Sequence, residues 1–197
     1  AIRETVRELE LDEAHGFRVR ITGNPALNYE EMWDLAWDIG GAGVFCFLLV
    51  ALVLYRALRS VPLVVASLMT LVVGLIWTAA FAAATVGRLN LVSIAFAVLF
   101  IGLGVDFAIH LGMHYARLRC RGAANESALH GAVQEVGASL VMCAVSTAIG
   151  FAVFIPTDFR GVAELGLIAC AGMPVILLLS LTFFPALLSS WLPAAGL

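Results

Sequence analysis

From residue 39 to residue 197 the chain carries only twelve charged side chains, five acids and seven arginines, in 159 positions. A soluble domain typically has about 25% charged residues. The whole chain has 13% charged and 62% hydrophobic residues, and most of its acids lie before residue 39. A segment so poor in charge is solvated by lipid. There every backbone amide must find its partner within the protein, which leaves helices or a closed barrel. Run length favours helices, since a bilayer needs about 20 apolar residues per helical span.

Five such runs lie between charged residues: 39–55, 60–87, 89–116, 136–157 and 165 to the end, the third interrupted by the single carboxylate Asp106. They predict membrane spans over roughly 37–56, 61–86, 90–115, 132–155 and 162–190. Arginine placement sets direction. Arg56 and Arg59 share one loop and Arg117, Arg119 and Arg121 another, while the opposite side has only Arg88 and Arg160 in its short loops. The arginine-rich side is therefore expected in the cytoplasm, with residues 1–38 outside and Trp33 and Trp37 in the outer aromatic belt.

Punctuation agrees with this topology. Asn28 followed by Glu31 resembles a capping box, so a helix can run unbroken from Tyr29 into the first span. Pro62 suits a first helical turn. Asn125 is placed to cap a helix leading into the fourth span. Pro174 and Pro185 predict a bend or an early end in the fifth. The outer segment pairs a helical repeat (Ile2, Val6, Leu9) with a strand-like alternation (Phe17, Val19, Ile21), and Thr22-Gly23-Asn24-Pro25 reads as a turn. One helix and one strand cannot make a core unaided. They are expected to complete an α/β domain whose remaining chain is absent.

Several functions are excluded or disfavoured. A net charge of −3 with no lysine offers no basic face for nucleic acid. No basic-then-apolar signal peptide opens the chain, and no Met begins it, so a fragment of a larger protein is expected. Cys46, Cys143 and Cys170 sit in apolar runs and Cys120 in an arginine-rich loop; without a Cys-x-x-Cys pair they read as buried thiols. No nucleophile–base pair, phosphate loop or nucleotide fingerprint is present.

Asp106 is the most informative residue. It lies about 6 Å past the midpoint of its span at 1.5 Å per residue. Placing an aspartate near the bilayer centre costs about 2.5–3.5 kcal/mol on insertion scales. Desolvation favours the protonated carboxyl, so such a group can load and unload a proton as water access changes. The bland alternative is a carboxyl that hydrogen-bonds a neighbouring helix. His110 and His114 follow at i+4 and i+8 on nearly the same face. Asp-x3-His-x3-His also offers zinc-type ligands, but three groups along two turns of a straight helix diverge, so no metal is expected. His114 is expected to be solvated near the cytoplasmic interface. Gly102 and Gly104 leave room for a close helix or for water. Ser146 and Thr147, with Ser139, Cys143 and Gly150, form a small, weakly polar stripe suited to helix packing or to a proton path.

These residues resemble a known family. Leu89-Asn90-Leu91-Val92-Ser93 followed by Ile101-Gly102-Leu103-Gly104-Val105-Asp106-Phe107-Ala108-Ile109-His110 is similar to the fourth transmembrane helix of resistance–nodulation–division (RND) transporters. Pro156-Thr157-Asp158-Phe159-Arg160-Gly161 and the ending Leu181-Thr182-Phe183-Phe184-Pro185-Ala186-Leu187-Leu188 resemble the fifth-to-sixth helix region of the hopanoid-transporter branch. That branch is grouped with the mycobacterial-type (MMPL) lipid exporters. The resemblance implies an all-α polytopic membrane protein of the bacterial inner membrane. Residues 1–35 would close a periplasmic porter domain, and residues 36–192 would form helices two to six of the amino-terminal half of a twelve-helix pump. It implies export of hydrophobic lipids such as hopanoids, driven by the proton gradient, with Asp106 as the relay acid and His110 beside it. It also implies protons as the coupling ion without other cofactor, the remainder of the same transporter as partner, and a homodimer. Multidrug members have a second acid where Phe107 stands, so a counterpart is expected on the absent tenth helix. Because the same helices are related to the sterol-sensing domain, a lipid sensor or scaffold without transport is the alternative.

Overall fold

A computed structural model describes the backbone of residues 24–87 and 91–191, and side chains over 40–87 and 96–190. The helical repeat over 2–9 and the strand over 17–21 fall outside the described residues. The chain divides into two units, residues 1–38 and residues 39–197. Among the described residues six helices follow one another: α1 (Asn24–Leu58), α2 (Val61–Thr85), α3 (Leu91–Cys120), α4 (Asn125–Ala152), α5 (Arg160–Leu181) and α6 (Phe183–Trp191). No strand occurs among the described residues. Five segments of the described residues are long and apolar enough to cross a membrane, with α5 and α6 together forming the fifth.

Each boundary has a local cause. The turn expected at Asn24-Pro25 is instead the start of α1, four residues ahead of Asn28. Proline is tolerated in a first turn, where its missing N–H has no intrahelical partner to lose. Pro62 occupies the same kind of position in α2. Asn125 does not cap α4: Ala124 holds the cap position, and Asn125 is already helical. Pro174 is accommodated inside α5, whereas Pro185 marks a real break. A proline ring clashes with the carbonyl four residues back, and α5 ends at that residue, Leu181, before α6 resumes at Phe183.

Helix α5 is the hub, packing on α2, α3 and α4. The core joins Leu71 of α2, Phe100, Phe107 and Leu111 of α3, Leu140 of α4 and Ile168, Met173 and Ile176 of α5. Glycine permits the closest approaches. A Cβ on Gly166 would lie 2.7 Å from the carbonyl oxygen of Phe151, which seats the first turns of α5 against the end of α4. Three buried hydroxyls of α2 are satisfied by their own helix: Ser67, Thr70 and Thr78 each donate to the carbonyl four residues back, at 2.7–2.8 Å. The apolar face of α1 points outward, with Phe45, Leu48 and Leu52 exposed, as lipid-facing residues are.

Candidate functional site

Helix α3 has two opposed faces. Phe100, Phe107, Leu111 and Tyr115 are buried against the bundle, while Leu99, Gly102, Asp106, His110 and Met113 lie exposed on the other side. Asp106 is therefore not enclosed by these five spans; it stands on their outer surface. In a bilayer a carboxylate on that surface must meet water or a further polar protein segment, since lipid offers no hydrogen-bonding partner.

Beside it a groove of about 420 Å³ runs between α3 and α4. Asp106, His110 and His114 line it from α3, and Glu135, Ser139 and Cys143 from α4. The anchor of the register is the contact of His114 Nδ1 with Glu135 Oε2 at 3.1 Å. Steps of four residues along two antiparallel helices rise about 6 Å each. They bring Ser139 to the level of His110 and Cys143 to that of Asp106. Thr147 falls at the level of Gly102, one turn beyond the groove.

The candidate residues thus separate. Asp106 and His110 share the groove. Gly102, one turn before Asp106, would have nothing within 4 Å of an added Cβ, so it leaves the face open. Gly104 points the other way: its Cβ would lie 2.7 Å from Leu71 Cδ1 and 3.2 Å from Ile176 Cγ1, so it serves packing rather than water access beside the carboxyl. Two residues apart on a helix differ by about 200° in direction, which makes this opposition obligatory. Ser146 and Thr147 do not line the groove; the Ser146 hydroxyl donates to the Cys143 carbonyl of its own helix at 3.0 Å.

Other expectations also change. His114 is paired with Glu135 rather than simply solvated, and Glu135 was legible only as the border of a span. Cys120 and Cys143 are exposed, while Cys46 and Cys170 are half-buried. In a membrane chain an apolar neighbourhood does not mean burial within the protein, and Cys143 faces the groove. Among the described residues no group of three His, Cys, Asp or Glu side chains is disposed to hold a metal ion. Near the opposite end of the bundle, Arg160 Nε donates to Glu164 Oε1 at 2.8 Å in the first turn of α5.

The sequence matches the MMPL family over residues 1–192. It is 45% identical over 98% of its length to a protein named hopanoid transporter HpnN from Burkholderia multivorans. It is 40% identical, again over 98%, to the hopanoid transporter HpnN of Rhodopseudomonas palustris. The chain spans 22% of the length of each of these relatives.

Proposed function

This chain belongs to the MMPL family, and from that premise we propose that it forms helices two to six of one half of a proton-driven transporter. The cargo is a hydrophobic lipid of the hopanoid class, moved out of the inner membrane toward the periplasm or outer membrane. The assembly is a homodimer of the complete chain. A transporter rather than an enzyme is the reading, in line with the names of both relatives.

The observation that carries the coupling role is Asp106, an ionisable side chain on the outer surface of an apolar bundle, beside a groove lined with polar groups. A carboxyl there is costly unless it is used or covered. In this reading the rest of the transporter covers the exposed face of α3 and brings a second polar group to Asp106. The carboxyl takes a proton when the groove opens to one side and releases it when the groove opens to the other. Binding of the proton biases two conformations, and the gradient supplies the direction. His110 lines the same groove one turn away and is the next group along the relay.

The test is lipid export by cells that express the full-length protein. Export stops on addition of an uncoupler, and Asp106→Asn abolishes it at unchanged protein level. Uncoupler-insensitive lipid binding without export would instead identify a sterol-sensing-like module.

A further inference from the structure

Resting on the proton-coupled reading of Asp106, we propose that the His114–Glu135 pair is the port through which that carboxyl exchanges its proton with water on the arginine-rich side of the membrane. Between residues 40 and 190 the chain has five acids and three histidines. Two of the acids and two of the histidines, Asp106, Glu135, His110 and His114, line one groove. The remaining acids lie elsewhere: Glu126 in the first turn of α4, Asp158 just before α5, and Glu164 in its contact with Arg160.

The spacing suits a relay. Asp106, His110 and His114 rise along α3 in steps of about 6 Å, one intervening water apart. Glu135 sits ten residues into α4, roughly 15 Å from its start. Its side chain is 57% exposed while that of His114 is 22% exposed, so the pair is open at the carboxylate and sheltered at the ring. An ion pair with one partner this open is a weak clamp between helices, and packing alone gives little reason to set it inside a groove.

The electrostatics around His114 are simple. Helix α2 has no charged residue, and those of α5 are Arg160 and Glu164 near the opposite end. From α4 the groove presents Glu135 and the Cys143 thiol, and from α3 itself Asp106 and His110, with Arg117 and Arg119 in the last turn. Arg56 closes α1. Glu135 is thus the acid facing the ring. Protonated Asp106 gives its proton to groove water, with His110 as the intermediate site. His114 accepts a proton at Nε2 and becomes an imidazolium held by Glu135. The Nδ1 proton leaves to the Glu135 carboxylate and from there to bulk water, leaving the Nε2–H tautomer; rotation of the ring then exchanges the directions of the two nitrogens, so the next proton enters at Nδ1 and leaves from Nε2. In each passage one proton enters the ring, one leaves it, and no other bond changes.

The experiment is time-resolved infrared spectroscopy of the full-length transporter in vesicles after a pH jump on the arginine-rich side, following the carboxyl band that Asp106→Asn removes. Glu135→Gln and His114→Asn are each expected to slow that band by about tenfold or more while leaving its final amplitude unchanged. Added imidazole or azide, small diffusible proton carriers, restores the rate; a purely structural defect is indifferent to them. Unchanged kinetics in both variants, or slowing that neither carrier rescues, overturns the port. A wild-type band that never titrates overturns the coupling role of Asp106 itself and the port with it.

Discussion

The Tyr115 hydroxyl donates a 2.7 Å hydrogen bond to Asn125 Oδ1, tying the end of α3 to the first residue of α4. Between them the chain turns through Gly122 at φ +85°, a backbone conformation that side-chain-bearing residues rarely adopt. Arg119 Nη1 adds a bond to the Ala123 carbonyl at 2.9 Å. The turn therefore fixes the register between the two helices that form the groove. Tyr115 is fully buried, so Tyr115→Phe keeps the packing while it leaves the Asn125 amide oxygen unpaired and removes the hydroxyl that Arg119 also contacts. Tyr115→Phe is expected to destabilise the bundle by about 1 kcal/mol, the usual net worth of one such bond in water or membrane. Equilibrium unfolding in mixed micelles measures it. Gly122→Ala should weaken the same turn through backbone strain.

A second expectation concerns the packing of α5. At Gly166 an added methyl would meet the Phe151 carbonyl oxygen at 2.7 Å and Phe154 Cβ at 2.9 Å, atoms that move only if a backbone moves. Gly166→Ala should cost about 1–3 kcal/mol through overpacking. Gly150→Ala is the control, since nothing lies within 4 Å of its added Cβ. Thermal denaturation of the two variants side by side separates them.

A third concerns water in the groove. Cys143 is exposed and lines it at the level of Asp106. On a Cys120→Ser background, in which the exposed loop thiol is gone, a small charged thiosulfonate should modify Cys143 in the full-length transporter. Met142, 71% exposed but outside the groove lining, when replaced by Cys should react with a lipophilic maleimide and resist the charged reagent. Mass spectrometry of the labelled peptides reads both. Equal protection of Cys143 and the Met142→Cys thiol from the charged reagent would mean a dry groove.

Much of this architecture is legible in the sequence, because bilayer solvation imposes a strong pattern. Apolar runs between charged residues mark five spans, and Pro62 and Pro185 mark a start and a break by well-defined steric rules. Helices outlast the apolar stretch: α4 begins at Asn125, where the sequence places a helix leading into the fourth span, and its first turns carry the polar Glu126 and His130. The opposition of Gly102 and Gly104 was also available from the 100° step of a helix. The pairing of His114 with Glu135 was not, since it depends on the antiparallel register set by the 121–124 turn. Asn125 misleads for a related reason: as a capping residue it looks local, yet its side chain serves Tyr115 on the preceding helix.

In the proposed mechanism, proton movement through Asp106 drives lipid movement. The direct measurement reconstitutes the full-length transporter in liposomes loaded with a pH-sensitive dye and follows proton entry and lipid transfer together under an imposed pH gradient. Both fluxes are expected to rise with the gradient in the wild type and to vanish in Asp106→Asn protein folded like the wild type. Gradient-driven lipid transfer that persists at the wild-type rate in the Asn variant would contradict that mechanism.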